Sequence, residues 1–450
     1  MTEVLDDRGA APELPGAYDY ADLIREERLD GRLYTDPLVF GDEFDRIWHR
    51  GWVYVAHASE VAKPGDYVIR TLGLQPVIVS RDKAGEVNVL LNRCPHRGNR
   101  VANDLAGNSM NFRCAYHAWT FANSGELIGV PHPQGYGENF DRSKLGLAKV
   151  PRVEIYRGFI FASLSPTGIS LDEHLGKSKH LIDRVCEVAP TGEIEVKSGS
   201  LKHRMKCNWK MIVENDTDGY HPPFVHSSLY KVSITPKRVA RQVIPKPLPE
   251  PVVRDWGNGS GELDYTERKR ESGPLGWLKR FPQPLIDDYV AKLTERVGPE
   301  RAMDIALEGP PHATIFPNLF IALSNIVVVQ PIAPNQTVQW VTPVTFGGAP
   351  ALDETIITQS QGGLGPAGLL FADDDEIAER NQLGLAAGNP RWLYLARGLS
   401  REQVDDSNGS VVSDQSDETS QRAFWRRYRS EMTDDSPAGV VPDAFEGGCL

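Results

Sequence analysis

The sequence predicts an α+β protein, an all-β module followed by a larger module of antiparallel strands and helices. Three observations carry this. Short β-branched and aromatic runs recur between Trp48 and Pro166, punctuated by turn residues such as Pro64-Gly65-Asp66 and Lys83-Ala84-Gly85. Beyond them, apolar residues take helical spacing, first over Leu171–Val188. The later strand-like runs follow one another in sequence, which favours antiparallel pairing.

Element by element, Tyr18–Trp52 has helix-like spacing around Leu23, Ile24, Leu29, Phe40, Phe44 and Ile47. Strand-like runs follow at Val53–Ala56, Tyr67–Leu72, Pro76–Ser80 and Val87–Leu91, and the last of the module is Gly158–Leu164. After the helix at Leu171–Val188, Ile194–Cys207 alternates as one strand and Trp209–Phe224 begins with helical spacing. Residues 230–310 are rich in Pro, Lys and Arg and give no clean period. Strands return at Ala313–Asn325, Ile326–Pro331 and Thr337–Phe346, then a helix at Leu369–Leu383. Arg401–Thr419 reads as a polar linker before a basic-aromatic helix, Gln421–Met432.

Composition excludes several classes. A hydrophobic content of 40 % can build a sizeable core, and 450 residues suit two or three modules, so general disorder is ruled out. The net charge of −12, from 49 basic and 61 acidic residues, argues against a nucleic-acid binder. No apolar run approaches the ~20 residues of a membrane span. Met1–Leu14 is acidic without an apolar core, so no secretory signal is expected, and Cys449 is not placed for prenylation. Five cysteines in a chain this long are not a disulfide framework. A cytoplasmic location is the expectation.

Two of those cysteines fall in a metal-binding pattern. Cys94-Pro95-His96 and Cys114-Ala115-Tyr116-His117 are separated by 17 residues, and each follows a strand-like run. Two hairpin tips could bring the four side chains together. A thiolate pair on one iron and an imidazole pair on the other is the arrangement of a Rieske [2Fe–2S] centre. A Cys₂His₂ zinc site is the rival, but zinc motifs usually pair Cys with Cys and His with His, whereas here each loop carries one of each. Further on, His221 and His226 lie five apart at the end of a helical segment. One added carboxylate would complete the two-histidine, one-carboxylate triad of non-haem Fe(II) oxygenases.

With these motifs, in this order, the chain resembles the large (α) subunit of the Rieske non-haem iron aromatic-ring-hydroxylating oxygenases. The likeness continues through Asn208-Trp209-Lys210, Ile315-Phe316-Pro317-Asn318-Leu319 and the acidic segment after Phe371. It implies an all-β Rieske domain at 48–166 and a helix-grip-like catalytic domain at 167–450, on which an N-terminal helical segment, 1–47, packs. It implies that Cys94, His96, Cys114 and His117 bind the cluster, and that His221 and His226 bind the mononuclear Fe(2+). Asp218 matches the family's bridging carboxylate, which bonds the iron-ligand histidine and a cluster histidine, here His117, of a neighbouring subunit. A buried carboxylate between two imidazoles fixes both rings and links the centres.

The third iron ligand comes from Asp373-Asp374-Asp375. Aligning Glu379, Arg380 and Gln382 with the family pattern favours Asp374, whereas aligning from Phe371 favours Asp375; we take Asp374. The other two read as solvated or helix-capping acids. Tyr116 is expected either to donate its hydroxyl to a cluster sulfur or merely to pack, Trp119 to shield the cluster, and Asn215 to lie near the iron.

No Gly-x-Gly-x-x-Gly with a following acidic residue and no flavin fingerprint occurs, so electrons from NAD(P)H have to arrive through a separate reductase, with or without a ferredoxin. The resemblance implies O₂ and an aromatic substrate, cis-dihydroxylation first and monooxygenation or demethylation second, and a trimer of α subunits with or without a small β subunit. Two other readings are a Rieske electron carrier without the second iron and a zinc-stabilised binding protein. The basic residues Arg268 to Arg280 read as a solvated face, with capture of an acidic substrate as the alternative. Cys186 and Cys207 read as buried thiols, and His132, His174, His180 and His203 have no partner spacing.

Overall fold

The computed structural model describes residues 18–228, 248–272, 277–278, 281–365, 368 and 370–434. The first β module is three small antiparallel sheets. One has the order Val87–Leu91, Gln75–Arg81, Asp66–Leu72, Ala106–Asn108; a second joins Asn111–Arg113, Thr120–Ala122 and Leu127–Gly129. The third places Phe159–Ser163 between Arg152–Tyr156 and Val53–His57. Leu72 pairs with Gln75 across a two-residue turn, and Gly73, at φ +59°, supplies the left-handed backbone such a turn requires.

The second module is built on a nine-stranded antiparallel sheet. Its order is Leu201–Met205, Gln336–Pro343, Asn325–Ala333, Leu319–Ala322, His312–Ile315, Gly261–Asp264, Val252–Asp255, Val411–Asp414, Gln403–Val404. Asn318, in the turn between two of these strands, clamps the modules together. Its Oδ1 accepts from Tyr54 N at 3.1 Å and its Nδ2 donates to Tyr54 O at 2.9 Å.

Several sequence expectations change here. Ile194–Cys207 is two strands in different sheets, Ile194–Glu195 against Thr345–Phe346 and Leu201–Met205 against Gln336–Pro343. Ala313–Asn325 is broken by Phe316-Pro317-Asn318 into a hairpin, because proline offers no N–H to the ladder. The aperiodic 230–310 region, where described, holds the strands Val252–Asp255 and Gly261–Asp264 and the helices Thr266–Glu271, Gln283–Val297 and Pro299–Glu308. Residues 229–247 lie outside the described residues. The expected linker Arg401–Thr419 supplies two strands of the large sheet instead. Its polar composition is answered by partners: Arg254 bonds Asp264 at 2.9 Å and Asp405 at 2.7 Å, and Arg401 pairs with the buried Asp417. The helix Pro350–Leu364 has no counterpart in the sequence reading.

The helix Trp209–Asp216 is held by a polar network inside the core. Glu43, fully buried, accepts from Trp209 Nε1 at 2.7 Å and Tyr428 Oη at 2.6 Å and pairs with the buried Lys210. The N-terminal segment, this helix and the C-terminal helix Thr419–Thr433 are thereby tied together. With every member satisfied, such a network specifies one arrangement.

Glu214, one turn on, accepts from Tyr34 Oη at 2.6 Å and Trp425 Nε1 at 3.0 Å. Burial pushes its carboxyl from 4.5 up to about 7, although both donors and Lys210 pull it down. A raised value means that the folded state favours the protonated acid. This contribution is complete below about 4.5 and is lost as pH rises through about 7. Urea denaturation should therefore show stability falling across that window, and Glu214→Gln should remove up to about 3 kcal/mol of the fall. Glu262 (about 7) and Asp353 (about 6) leave a residual slope. An identical slope in the variant would show that Glu214 does not titrate there.

Candidate metal centres

The two Cys/His loops grow from strand ends. The first leaves Val87–Leu91 and is pinned by buried Asn92, which accepts from Val101 N and Ala102 N and donates to Ala102 O at 2.7 Å. The second joins Asn111–Arg113 to Thr120–Ala122. Cys94 and Cys114 are buried, His96 is half-buried and His117 exposed, so the sulfurs face the core and the imidazoles the surface.

The His96 and His117 ring centres are 4.5 Å apart, and Trp119 stacks on His96 at 4.9 Å. Trp119 is thus placed to shield one ring. Cys94 and Cys114 lie side by side with backbone N–H donors on each sulfur: His96 and Arg97 toward Cys94, Tyr116 and His117 toward Cys114. Asn99 Nδ2 adds a contact to Cys114 Sγ at 3.7 Å. The Tyr116 side chain is 65 % exposed with its ring over His117 at 3.8 Å, and its backbone N–H is directed at the Cys114 sulfur.

The second centre is assembled by a short loop and one helix turn. Asn208 caps the helix Trp209–Asp216 through its side chain and is held by Gln382 Oε1 at 2.8 Å. After Asp216 the chain turns through Thr217-Asp218-Gly219-Tyr220, and His221 and His226 bracket the short helix Pro222–Val225. A Cβ on Gly219 would meet Gln415 O at 2.3 Å, so only glycine lets this turn lie against the large sheet. His221, His226 and Asp374 offer ligand atoms that all lie within 4.8 Å of one another, the only such group of three among the described residues. Asp374 Oδ1 is 3.5 Å from His221 Nε2 and 3.2 Å from His226 Nε2.

Both imidazoles turn their other nitrogen to a carboxylate. Asp218 Oδ2 lies 3.2 Å from His221 Nδ1, and Asp373 Oδ2 lies 3.5 Å from His226 Nδ1. Asp373 thus does more than cap the helix, and no spacing signal revealed it. Asp375 points elsewhere, towards Lys206 and Glu379, and burial pushes its carboxyl up to about 6. Asn215 Nδ2 is 3.4 Å from both His221 Nε2 and Asp374 Oδ1. Asp218 also caps its own turn by accepting from Tyr220 N at 2.6 Å.

The donor sets fit the metals that this pattern calls for. Burial alone would lower the His221 imidazole, but Asp218 and Asp374 raise it to about 9, so the site's carboxylates favour positive charge at this ring. Burial would raise the Asp374 carboxyl, yet the two imidazoles hold it below 3.8. One carboxylate and two imidazoles suit Fe(II). No three of Cys94, His96, Cys114 and His117 converge within the same 4.8 Å, which disfavours a single zinc ion and suits a group with two separated metals. His96 Nδ1 is buried without a hydrogen-bond partner.

Comparison with known proteins gives the family. Residues 51–151 match the Rieske [2Fe-2S] domain and residues 193–434 the ring hydroxylating alpha subunit (catalytic domain). The large subunit of 2-halobenzoate 1,2-dioxygenase from Burkholderia cepacia is 34 % identical, covering 81 % of this chain and 79 % of the relative. The alpha subunit of N,N-dimethyl phenylurea N-demethylase from Sphingobium sp. (strain YBL2) is 31 % identical over 91 % and 93 %. A naphthalene 1,2-dioxygenase structure with indole in its active site superposes with a TM-score of 0.78 at 27 % identity, over 92 % and 94 %. The class is a two-centre iron oxygenase. The chain belongs to the alpha subunits of the Rieske ring-hydroxylating oxygenases, as their terminal oxygenase component with a [2Fe–2S] cluster and a mononuclear iron. Among the described residues, no helix is long and apolar enough to cross a membrane.

Proposed function

We propose that His221, His226 and Asp374 hold the catalytic iron, that Cys94, His96, Cys114 and His117 hold the cluster, and that Asp218 links the two across a subunit boundary. The observation that carries this is the convergence of two Nε2 atoms and one carboxylate oxygen, with an acid behind each imidazole. When bound, the cluster supplies single electrons and the iron supplies O₂ activation.

The chain's own residues do the rest. Asp218 Oδ2 stands 3.2 Å from His221 Nδ1 and Asp373 Oδ2 3.5 Å from His226 Nδ1, close enough for each acid to orient its ring, while Asn215 spans His221 and Asp374. Within one chain His117 and Asp218 share no hydrogen bond among the described residues, and His117 is exposed. A cavity of about 730 Å³ beside Asp218, walled by Arg32, Arg391, Tyr220 and Tyr394, takes the His117 loop of a neighbouring copy. The working unit is therefore a ring, a trimer of alpha subunits with or without a small beta subunit. Electrons come from NAD(P)H through a separate reductase, with or without a ferredoxin, and the chain works in the cytoplasm.

The substrate is an aromatic compound and the product a cis-dihydrodiol, in line with the dioxygenases among the relatives. The demethylase relative supports a second reading, monooxygenation on the same scaffold. Product analysis of the purified oxygenase with reductase, O₂ and a panel of aromatic acids, amines and hydrocarbons decides between them. A dihydrodiol with both oxygens from O₂ is expected; one oxygen or a demethylated product selects the second reading. Iron analysis should give about three irons per chain, and about two would favour a plain electron carrier.

A further inference from the structure

The two cysteines of the cluster loops differ in what donates to them. Cys94 is approached by the backbone N–H groups of His96 and Arg97. Cys114 receives those of Tyr116 and His117 and, in addition, a side-chain amide, Asn99 Nδ2 at 3.7 Å from Sγ. Among the described residues this is the one side-chain nitrogen hydrogen-bonded to either sulfur.

Asn99 reaches Cys114 because its own loop turns back on itself. Gly98, at φ +73°, holds the left-handed backbone that glycine adopts freely, and its N–H donates to Cys94 O at 2.8 Å. The backbone carbonyl of Asn99 then accepts from Cys94 N at 2.9 Å, and the side chain crosses to the second loop. The same amide nitrogen donates to Arg100 O at 2.9 Å. Both of its neighbours, a carbonyl and a sulfur, are acceptors. The NH₂ group and not the amide oxygen has to face them, with one hydrogen for each.

We infer that Asn99 is a positioning residue for electron transfer, whose amide N–H, aimed at Cys114 Sγ, raises the reduction potential of the [2Fe–2S] cluster. This rests on the reading of Cys114 as a cluster ligand. Reduction adds one electron to the cluster, and hydrogen bonds to the sulfurs are one of the levers on its potential. A donor hydrogen carries partial positive charge, so it stabilises the more negative, reduced form over the oxidised one. Cys114 is 2 % exposed, so water does little to screen that dipole. With Asn99 in place, electron uptake from the donor is more favourable and delivery to the mononuclear iron less so. The backbone donors come with the shape of the loops, whereas this side-chain donor can be removed alone.

The test is a redox titration of the intact oxygenase, followed by the visible circular dichroism of the cluster. Asn99→Leu, close in size and without a donor, should lower the equilibrium constant for one-electron reduction by about 3- to 10-fold, which is about 30 to 60 mV. Asn99→Asp removes the donor and adds a negative charge, and should lower it further. A side chain that only held the loop through Arg100 O would leave the potential where it was. The wild type gives an independent reading: with asparagine labelled by nitrogen-15 in its side-chain amide only, pulsed EPR of the reduced cluster should show a coupled nitrogen-15 nucleus. Absence of that coupling would overturn the inference even if neither variant loaded a cluster. An unchanged or raised potential in Asn99→Leu, or one in Asn99→Asp no lower than in the wild type, would overturn it as well. Cys114→Ala keeps the two readings apart. Loss of the cluster there, with an unmoved potential in Asn99→Leu, refutes the role of Asn99 alone, whereas a cluster that survives Cys114→Ala refutes the ligand assignment.

Discussion

Asp374→Ala is expected to release the mononuclear iron and to lower turnover by at least about 1000-fold, beyond the about 10–100-fold typical of losing an outer partner. The visible spectrum of the cluster should stay. The reason is the donor count. In the proposed centre three protein atoms would hold the iron, and Asp374 would supply the only anionic one, 3.5 Å and 3.2 Å from the two imidazole nitrogens. Without it, two imidazoles remain for a hard divalent cation, and His221 loses one of the carboxylates that orient it.

The neighbouring aspartates make the controls. Asp373→Ala removes the group behind His226 and should weaken iron binding by about 10–100-fold without abolishing it. Asp375→Ala should leave the iron in place, because its carboxyl faces Lys206 and Glu379. Metal analysis of the three variants reads this directly. Loss of iron only in the Asp375 variant would show that the ligand had been misassigned.

Asp218→Ala should keep both the cluster spectrum and the iron, yet lower multiple turnover by at least about 100-fold. Asp218 Oδ2 lies 3.2 Å from His221 Nδ1, while its other oxygen caps the turn through Tyr220 N. The substitution thus breaks the link between centres without removing a ligand. Rapid reduction of the cluster followed by slow reoxidation in the presence of substrate and O₂ is the signature of a broken link. Loss of iron together with turnover would instead show a merely structural role for Asp218. Normal turnover would remove the bridging role altogether.

Much of this was legible in the linear chain. The cluster motif could be read because its donors lie on two loops, each within four consecutive residues, so local spacing carries the geometry. The same holds for His221 and His226, which bracket a single helical turn. The regions that resisted were those whose stability is not local. The Arg401–Thr419 segment looks like solvent-exposed linker by composition, yet Arg254 and Arg401 supply the counter-charges that let its strands join the sheet. Asp373 carried no signal, since a carboxylate behind an imidazole is defined by a neighbour 147 residues earlier in the chain.

From the linear chain came the α+β class and two kinds of metal donor, with residues proposed for each and one aspartate left among three candidates. These follow from residue type and short-range spacing, which are covalent facts. Only the tertiary structure decided which of three consecutive acids faces the histidines. Successive side chains on a helix point about 100° apart, so of Asp373, Asp374 and Asp375 one alone can reach both Nε2 atoms. The helix Leu370–Leu385 is rotated so that Asp374 does, while Asp373 reaches the back of His226 and Asp375 turns away. That rotation is set by packing of Phe371, Ala378 and Gln382 against the rest of the module, not by the acidic run.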